Sequence, residues 1–139
     1  MSTHEAVSPE GWKRPKGYSN GILAAPGRTL FIAGQIGWDV DEKLVSSDFL
    51  PQYEKALANM MAVLIAAGGK ASDLCRITTY VTDKKAYVAE IQGVGLAYRQ
   101  RIGRHFPAMS LVVVKDLLEE GALVEIEATA VIASEKEST

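Results

Sequence analysis

Glu125 and Glu127 stand two residues apart in Val124-Glu125-Ile126-Glu127-Ala128, so on an extended chain both carboxylates leave one face while apolar side chains line the other. Carboxylates about 7 Å apart repel each other. Partial burial raises the pKa of a carboxyl toward neutrality, as a general acid or base requires. The competing reading is a solvated pair, or carboxylates bonded to Arg76 or another arginine. Tyr18 follows Gly17 at the entry to the first predicted strand, where its ring either lines a cleft with the hydroxyl inward or covers the end of the core. Trp38 lies where the chain leaves a strand for a loop, a place from which a ring walls a binding cleft or caps the core or an interface. Cys75 has no histidine near it in sequence and reads as a small buried hydrophobe. With one cysteine beside His4 and His105, no disulfide or zinc spacing exists, and no metal is expected. Phosphate loops, nucleotide fingerprints and Ser/His/Asp signatures are missing, since Gly93-Val94-Gly95 is too short and lies in a helical pattern.

These residues need elements to hold them. Residues 1–17 are polar, contain Pro9 and Pro15, and read as a loosely ordered end, as does the charged tail 134–139; the domain spans 18–133. Ile22–Ala25 and Thr29–Ala33 are apolar runs around Pro26-Gly27-Arg28, which predicts a β-hairpin. From Asp48 to Ala67, Phe49, Tyr53, Leu57, Met60, Met61 and Leu64 recur at helical steps, with Ser46, Ser47 or Asp48 as the cap and Gly68-Gly69 as the stop. Cys75–Val81 alternates as a strand. Lys84–Arg101 is a second helix with Tyr87, Ile91, Val94 and Tyr98 on one stripe; Gly93 and Gly95 weaken it and suit close packing on the sheet. Met109–Val114 and Leu123–Ile132 close the chain as strands.

The order ββαβαββ predicts a single α+β domain, a mixed sheet with both helices packed on one face. The closing strands are apolar on both faces, with Val112 and Val114 opposing Met109, Leu111 and Val113, so the second face is expected to find cover in an oligomer.

The ordered segments Tyr18-Ser19-Asn20, Ile32-Ala33-Gly34-Gln35-Ile36, Phe106-Pro107-Ala108-Met109-Ser110-Leu111 and Val124-Glu125-Ile126-Glu127-Ala128 resemble the RidA (YjgF) family, whose best-studied members hydrolyse enamines and imines. The resemblance covers roughly residues 18–133. It implies a chorismate-mutase-like homotrimer with clefts between subunits. It gives Glu125 the place of the glutamate that positions or activates water, Tyr18 that of a pocket-lining tyrosine, and Gly34 that of a glycine whose backbone meets ligand carboxylates. Ser110 would help to hold the substrate through its backbone. The family's substrate-binding arginine is replaced by Met109, a frequent cysteine by Leu111 and a common serine by Ala33. A thioether offers only a polarizable apolar surface where a guanidinium makes bidentate, charge-assisted bonds. The candidate cations to replace it are Arg76, Arg101, Arg104 and His105.

The function implied is an enamine/imine deaminase acting on a non-standard substrate, such as a 2-aminomuconate-like enamine, without any cofactor because a protonated imine is already electrophilic. The alternative is a non-catalytic small-molecule-binding or regulatory trimer on the same scaffold, which Met109 and Leu111 favour. Charge is nearly balanced, 15 basic against 17 acidic residues with no basic block, which counts against nucleic acid, a ribonuclease role and acidic membrane surfaces. No signal-peptide core or run of about 18 apolar residues is present, and a cytoplasmic protein is expected.

Overall fold

The computed structural model describes residues 3–134. Strands β1 (Glu5–Val7), β2 (Gly21–Leu23) and β3 (Gly27–Gln35) precede helix α1 (Phe49–Ala66). A short 3-10 turn, Ala71–Asp73, leads into β4 (Leu74–Val81). Helices α2 (Lys84–Ala89) and α3 (Ile91–Arg101) then bring the chain to β5 (Ala108–Val113) and β6 (Val124–Ala133). The principal sheet has the order β3-β6-β4-β5, antiparallel except for the parallel β4–β5 pair. It is a mixed sheet, and the domain is α+β.

Helix α1 forms where the apolar positions repeat at three- and four-residue steps, and Phe49, Tyr53, Leu57, Met60 and Leu64 bury that stripe across β3 and β6. Asp48 takes the N-cap backbone conformation, but the side-chain cap expected from Ser46, Ser47 or Asp48 does not form: Ser46 Oγ accepts from the Asp48 amide at 2.9 Å, and the Asp48 carbonyl accepts the first intrahelical bond, from the Gln52 amide at 3.3 Å. Gly68, at φ +85°, closes the helix in the left-handed conformation that a residue without a Cβ adopts freely. Leu57, Met60, Leu64, Leu74, Val81, Val124 and Ile126 are fully buried between helix and sheet. Truncating such a leucine to alanine costs about 2–5 kcal/mol.

The structure corrects the sequence reading in three places. The expected hairpin does not form: β2 pairs with β1, and β3 pairs with β6. The strand-to-strand partner of Ile22 comes from the N-terminal segment, so the reading of residues 1–17 as a loose end fails for Glu5–Val7. His4 fastens that arm, its Nδ1 accepting from the Ala25 amide at 2.9 Å and its Nε2 bonding the Val131 carbonyl at 2.7 Å. Second, the Lys84–Arg101 helix is broken at Glu90 into α2 and α3. Third, Gly93 serves helix-to-helix packing instead of packing on the sheet, because a Cβ there would stand 2.6 Å from Leu50 Cδ2 on α1. The tail expected at 134–139 lies outside the described residues except for Ser134, whose amide donates to Pro26 at 3.1 Å.

The helices cover one sheet face, which carries Ile32, Ile77, Ile126 and Ala128. Strand alternation and cross-strand register put Met109 and Leu111 on that face, and Glu125, Glu127, Tyr80, Thr78 and Val112 on the other. The second face is open in the single chain, with Phe31 78% exposed upon it. Among the described residues no helix is long and apolar enough to cross a membrane.

Candidate functional site

The segment holding Tyr18 is stitched to the strand holding Met109. The Ser19 amide donates to Pro107 at 3.0 Å, its hydroxyl donates to Phe106 at 2.6 Å, and Ser19 forms a parallel bridge with Ala108. Two sequence motifs far apart in the chain thereby border one pocket of about 540 Å³ between α3 and β5, to which Tyr18, Met109, Ser110 and Leu111 all contribute. Its inner wall is apolar. Tyr98 stacks on Phe106 with centroids 5.6 Å apart and planes 8° from parallel, and the Tyr98 hydroxyl donates to the His105 carbonyl at 2.6 Å. Tyr53 and Tyr87 border the same pocket.

Gly34 and Glu125 form a second constellation. The β3–β6 register slips by one residue between Ile32 and Gln35, so Ala33 and Gly34 sit in a bulge that leaves the regular ladder. The Glu125 side chain lies directly against Gly34. A Cβ on Gly34 would overlap the carboxylate, with Glu125 Cδ at 2.7 Å and Cγ at 2.9 Å. The glycine is needed there for space. Glu127 is engaged differently: it accepts a bond from the Tyr80 hydroxyl at 3.1 Å, and that bond is the main reason the Tyr80 pKa is raised.

The structure thus divides the residues singled out from the sequence. Tyr18, Met109, Ser110 and Leu111 meet at one pocket, Gly34 meets Glu125 on the opposite sheet face, and Trp38 joins neither. Trp38 bridges Leu44 in a small loop over α1, where Asn59 Nδ2 donates to its carbonyl at 2.9 Å. It is partly buried there.

The four cations considered as replacements for a lost arginine do not border the Met109 pocket. His105 spends Nε2 on the Leu74 carbonyl at 2.7 Å, Arg104 borders a separate cleft with Arg14 beside the N-terminal arm, and Arg76 lies on the open face near Glu127. Arg101 sits exposed in the last turn of α3. The cations that do border the pocket are Lys16 and Arg99. Sequence reading missed them, and it read Tyr53, Tyr87 and Tyr98 only as helix stripes. The available clue was that both stripes carry tyrosines, so two helices packed together would present phenols to each other. Cys75 sits at a β4 bulge with Sγ 3.6 Å from the Asp73 carbonyl, and burial pushes its thiol pKa up, away from nucleophilic use. Among the described residues, no cluster of His, Cys, Asp and Glu is arranged to hold a metal.

A family model described as Endoribonuclease L-PSP matches residues 12–132. A RutC family protein of Pyrococcus horikoshii is 36% identical over 128 residues, which cover 91% of this chain and 96% of that protein. The 2-iminobutanoate/2-iminopropanoate deaminase of Homo sapiens is 33% identical over 115 residues, 82% of this chain and 79% of that protein. The crystal structure of a conserved Rid family protein from Yersinia pestis superposes with a TM-score of 0.82 at 33% identity, covering 92% of this chain and 98% of that one.

Proposed function

The chain belongs to the endoribonuclease L-PSP family, the Rid (YjgF) proteins, and from that premise we propose that it is an enamine/imine hydrolase working in clefts between the subunits of a homotrimer. The observation that carries this reading is the seating of the Glu125 carboxylate on Gly34 at a bulge, with the Met109 pocket on the other face of the same sheet. One chain cannot bring these halves together. A neighbouring chain can, if its Gly34–Glu125 edge closes over the Tyr18–Met109–Leu111 pocket, and the open sheet face with Phe31 would be covered in the same assembly.

In such a cleft Glu125 accepts a hydrogen bond from a water and orients it toward the carbon of a protonated imine. Addition of the water oxygen forms a C–O bond and moves the C=N π pair to nitrogen, giving a carbinolamine; Glu125 takes the released proton. Glu125 passes that proton to nitrogen and then takes the hydroxyl proton as the C–N bond breaks, so the O–H pair becomes the C=O π bond and ammonia departs; the last proton passes from Glu125 to the ammonia, leaving the carbonyl product and ammonium. Enamine substrates enter by protonation at carbon. Every atom comes from substrate and water, so the reaction as written needs no redox partner. Tyr18, Ser110 and Leu111 would hold the substrate from one chain, and the amide groups near Gly34 from the next.

Mixing two inactive variants tests the shared site. Glu125→Ala removes the water-orienting half, and Leu111→Trp fills the pocket half. Each alone should fail on 2-iminopropanoate, whereas trimers reassembled from an equal mixture should recover about a quarter of the sites, those with both intact halves on adjacent chains. No recovery from a well-mixed trimer would place both halves in one chain and defeat this architecture. A wild-type protein that accelerates no imine hydrolysis but binds small molecules saturably would be a binding trimer instead.

A further inference from the structure

Tyr53 is 5% exposed, and among the described residues its hydroxyl has no hydrogen-bond partner. No fully enclosed side-chain oxygen or nitrogen among those residues lacks a partner. The Tyr53 hydroxyl therefore opens onto the pocket that its ring borders, a polar atom among the apolar side chains of Leu57, Ile77, Val94 and Ile126, with Thr79 and Tyr87 lining the same space. Burial first, and then the neighbouring Tyr87 hydroxyl, raise the pKa of this phenol, which keeps it a neutral donor and acceptor.

The mouth of the same pocket has the opposite character. Arg99 folds back along α3 so that Nη1 lies 3.5 Å from where a Cβ on Gly95 would stand, and Gly95 and Lys16 border the same space. Cationic side chains thus stand at the rim while Met109 and Leu111 occupy the position nearer the sheet. A volume of about 540 Å³ also exceeds what a two- or three-carbon acid fills.

We infer that the pocket selects 2-imino acids, or their enamine tautomers, with a hydroxyphenyl side chain: the ring lies against Met109, Leu111 and Phe106, its hydroxyl meets Tyr53, and the carboxylate stays at the rim with Arg99. This rests on the hydrolase reading above and reverses the orientation that an arginine at position 109 would impose. An aromatic ring gains from stacking on Phe106 and from contact with the Met109 sulfur. A substrate hydroxyl satisfies the phenol that the protein leaves open. A small imino acid would leave that phenol unpaired and the apolar wall uncovered.

The test supplies imino acids made in situ by an L-amino-acid oxidase from alanine, phenylalanine and tyrosine, follows keto-acid release, and measures keto-acid binding by calorimetry. The hydroxyphenyl imine should exceed the methyl imine in kcat/KM by about tenfold or more. Tyr53→Phe should reduce the hydroxyphenyl-to-phenyl ratio roughly fivefold. Arg99→Ala should raise KM more than it lowers kcat, with Arg99→Lys restoring part of the loss. Preference for the methyl imine, or a ratio untouched by Tyr53→Phe, would overturn the inference while leaving imine hydrolysis intact. Tyr53-dependent binding of 4-hydroxyphenylpyruvate without hydrolysis of any imine would overturn the hydrolase reading and leave this site assignment standing.

Discussion

The Glu125 carboxylate rests on the bare Cα of Gly34, a contact made possible by a bulge in β3 and by the absence of any side chain at its centre. The glycine leaves space for the carboxylate and, being out of the regular ladder, exposes its own backbone beside it. Two residues from opposite ends of the chain thereby act as one seat.

Gly34→Ala should consequently separate activity from stability. The obstacle to a new Cβ is the far end of a flexible, partly exposed glutamate, which can swing aside at little cost to the fold. Misplacing a water-orienting carboxylate by about 1 Å costs on the order of 10²-fold in rate. Steady-state kinetics on 2-iminopropanoate should show that loss with a nearly unchanged melting temperature. A variant with wild-type kcat would show that the seat is not used in turnover.

Gln52 is a counterpart whose role is in stability. It is fully buried, its Nε2 donating to the Ser46 and Gly121 carbonyls at 2.9 Å each and its Oε1 accepting from the Leu123 amide at 2.8 Å. The side chain thus clamps the loop before α1 to the loop before β6, the strand carrying Glu125. Gln52→Leu keeps the size but strands these backbone groups, at a cost of about 2–4 kcal/mol. Urea titration measures it: the midpoint should fall with the slope unchanged.

Gln52 also shows where reading the sequence reaches its limit. The α1 stripe, the strand around Ile77 and the glutamate-bearing strand were legible because apolar period identifies an element and its buried face. The resemblance assigns Tyr18 and Met109 to one cleft together with Trp38 and Glu125, whereas in the single chain only the first two border a common pocket. A polar residue inside a helical stripe carries no local mark that its amide will bridge two loops. The hairpin expected at Pro26 failed for a similar reason: turn chemistry indicates where a chain bends and not which strand accepts its hydrogen bonds. Arg99 was not legible although Arg101, two residues further along the same helix, was a candidate: residues two apart on a helix point to different faces, and it is Arg99, four residues from Gly95, that borders the pocket.

The buried phenols predict an alkaline limit to stability. Burial raises the pKa values of Tyr53, Tyr87 and Tyr98 in the folded protein. A folded-state value raised above the unfolded one contributes stability that is complete below about pH 10, the ordinary phenol value, and is lost as pH rises beyond it. Melting temperature should hold from pH 7 to 9 and drop above pH 10, with tyrosinate absorbance rising in step with unfolding. Tyrosines that ionise at their ordinary value in a still-folded protein would contradict this.

Met109→Arg gives the sharpest test of how the pocket recognises charge. A guanidinium at this position would offer a bidentate bond to a carboxylate, so pyruvate affinity should increase by about tenfold. The same change removes the apolar contact with the ring side chain and places a cation among Tyr98, Phe106 and Leu111, so affinity for 4-hydroxyphenylpyruvate should fall. Met109→Leu, which keeps the apolar wall, should move neither by more than about twofold. Calorimetry with both keto acids reads the crossing of the two preferences. If arginine strengthens neither ligand, the carboxylate does not approach β5, and recognition of the acid belongs to the Arg99 rim alone.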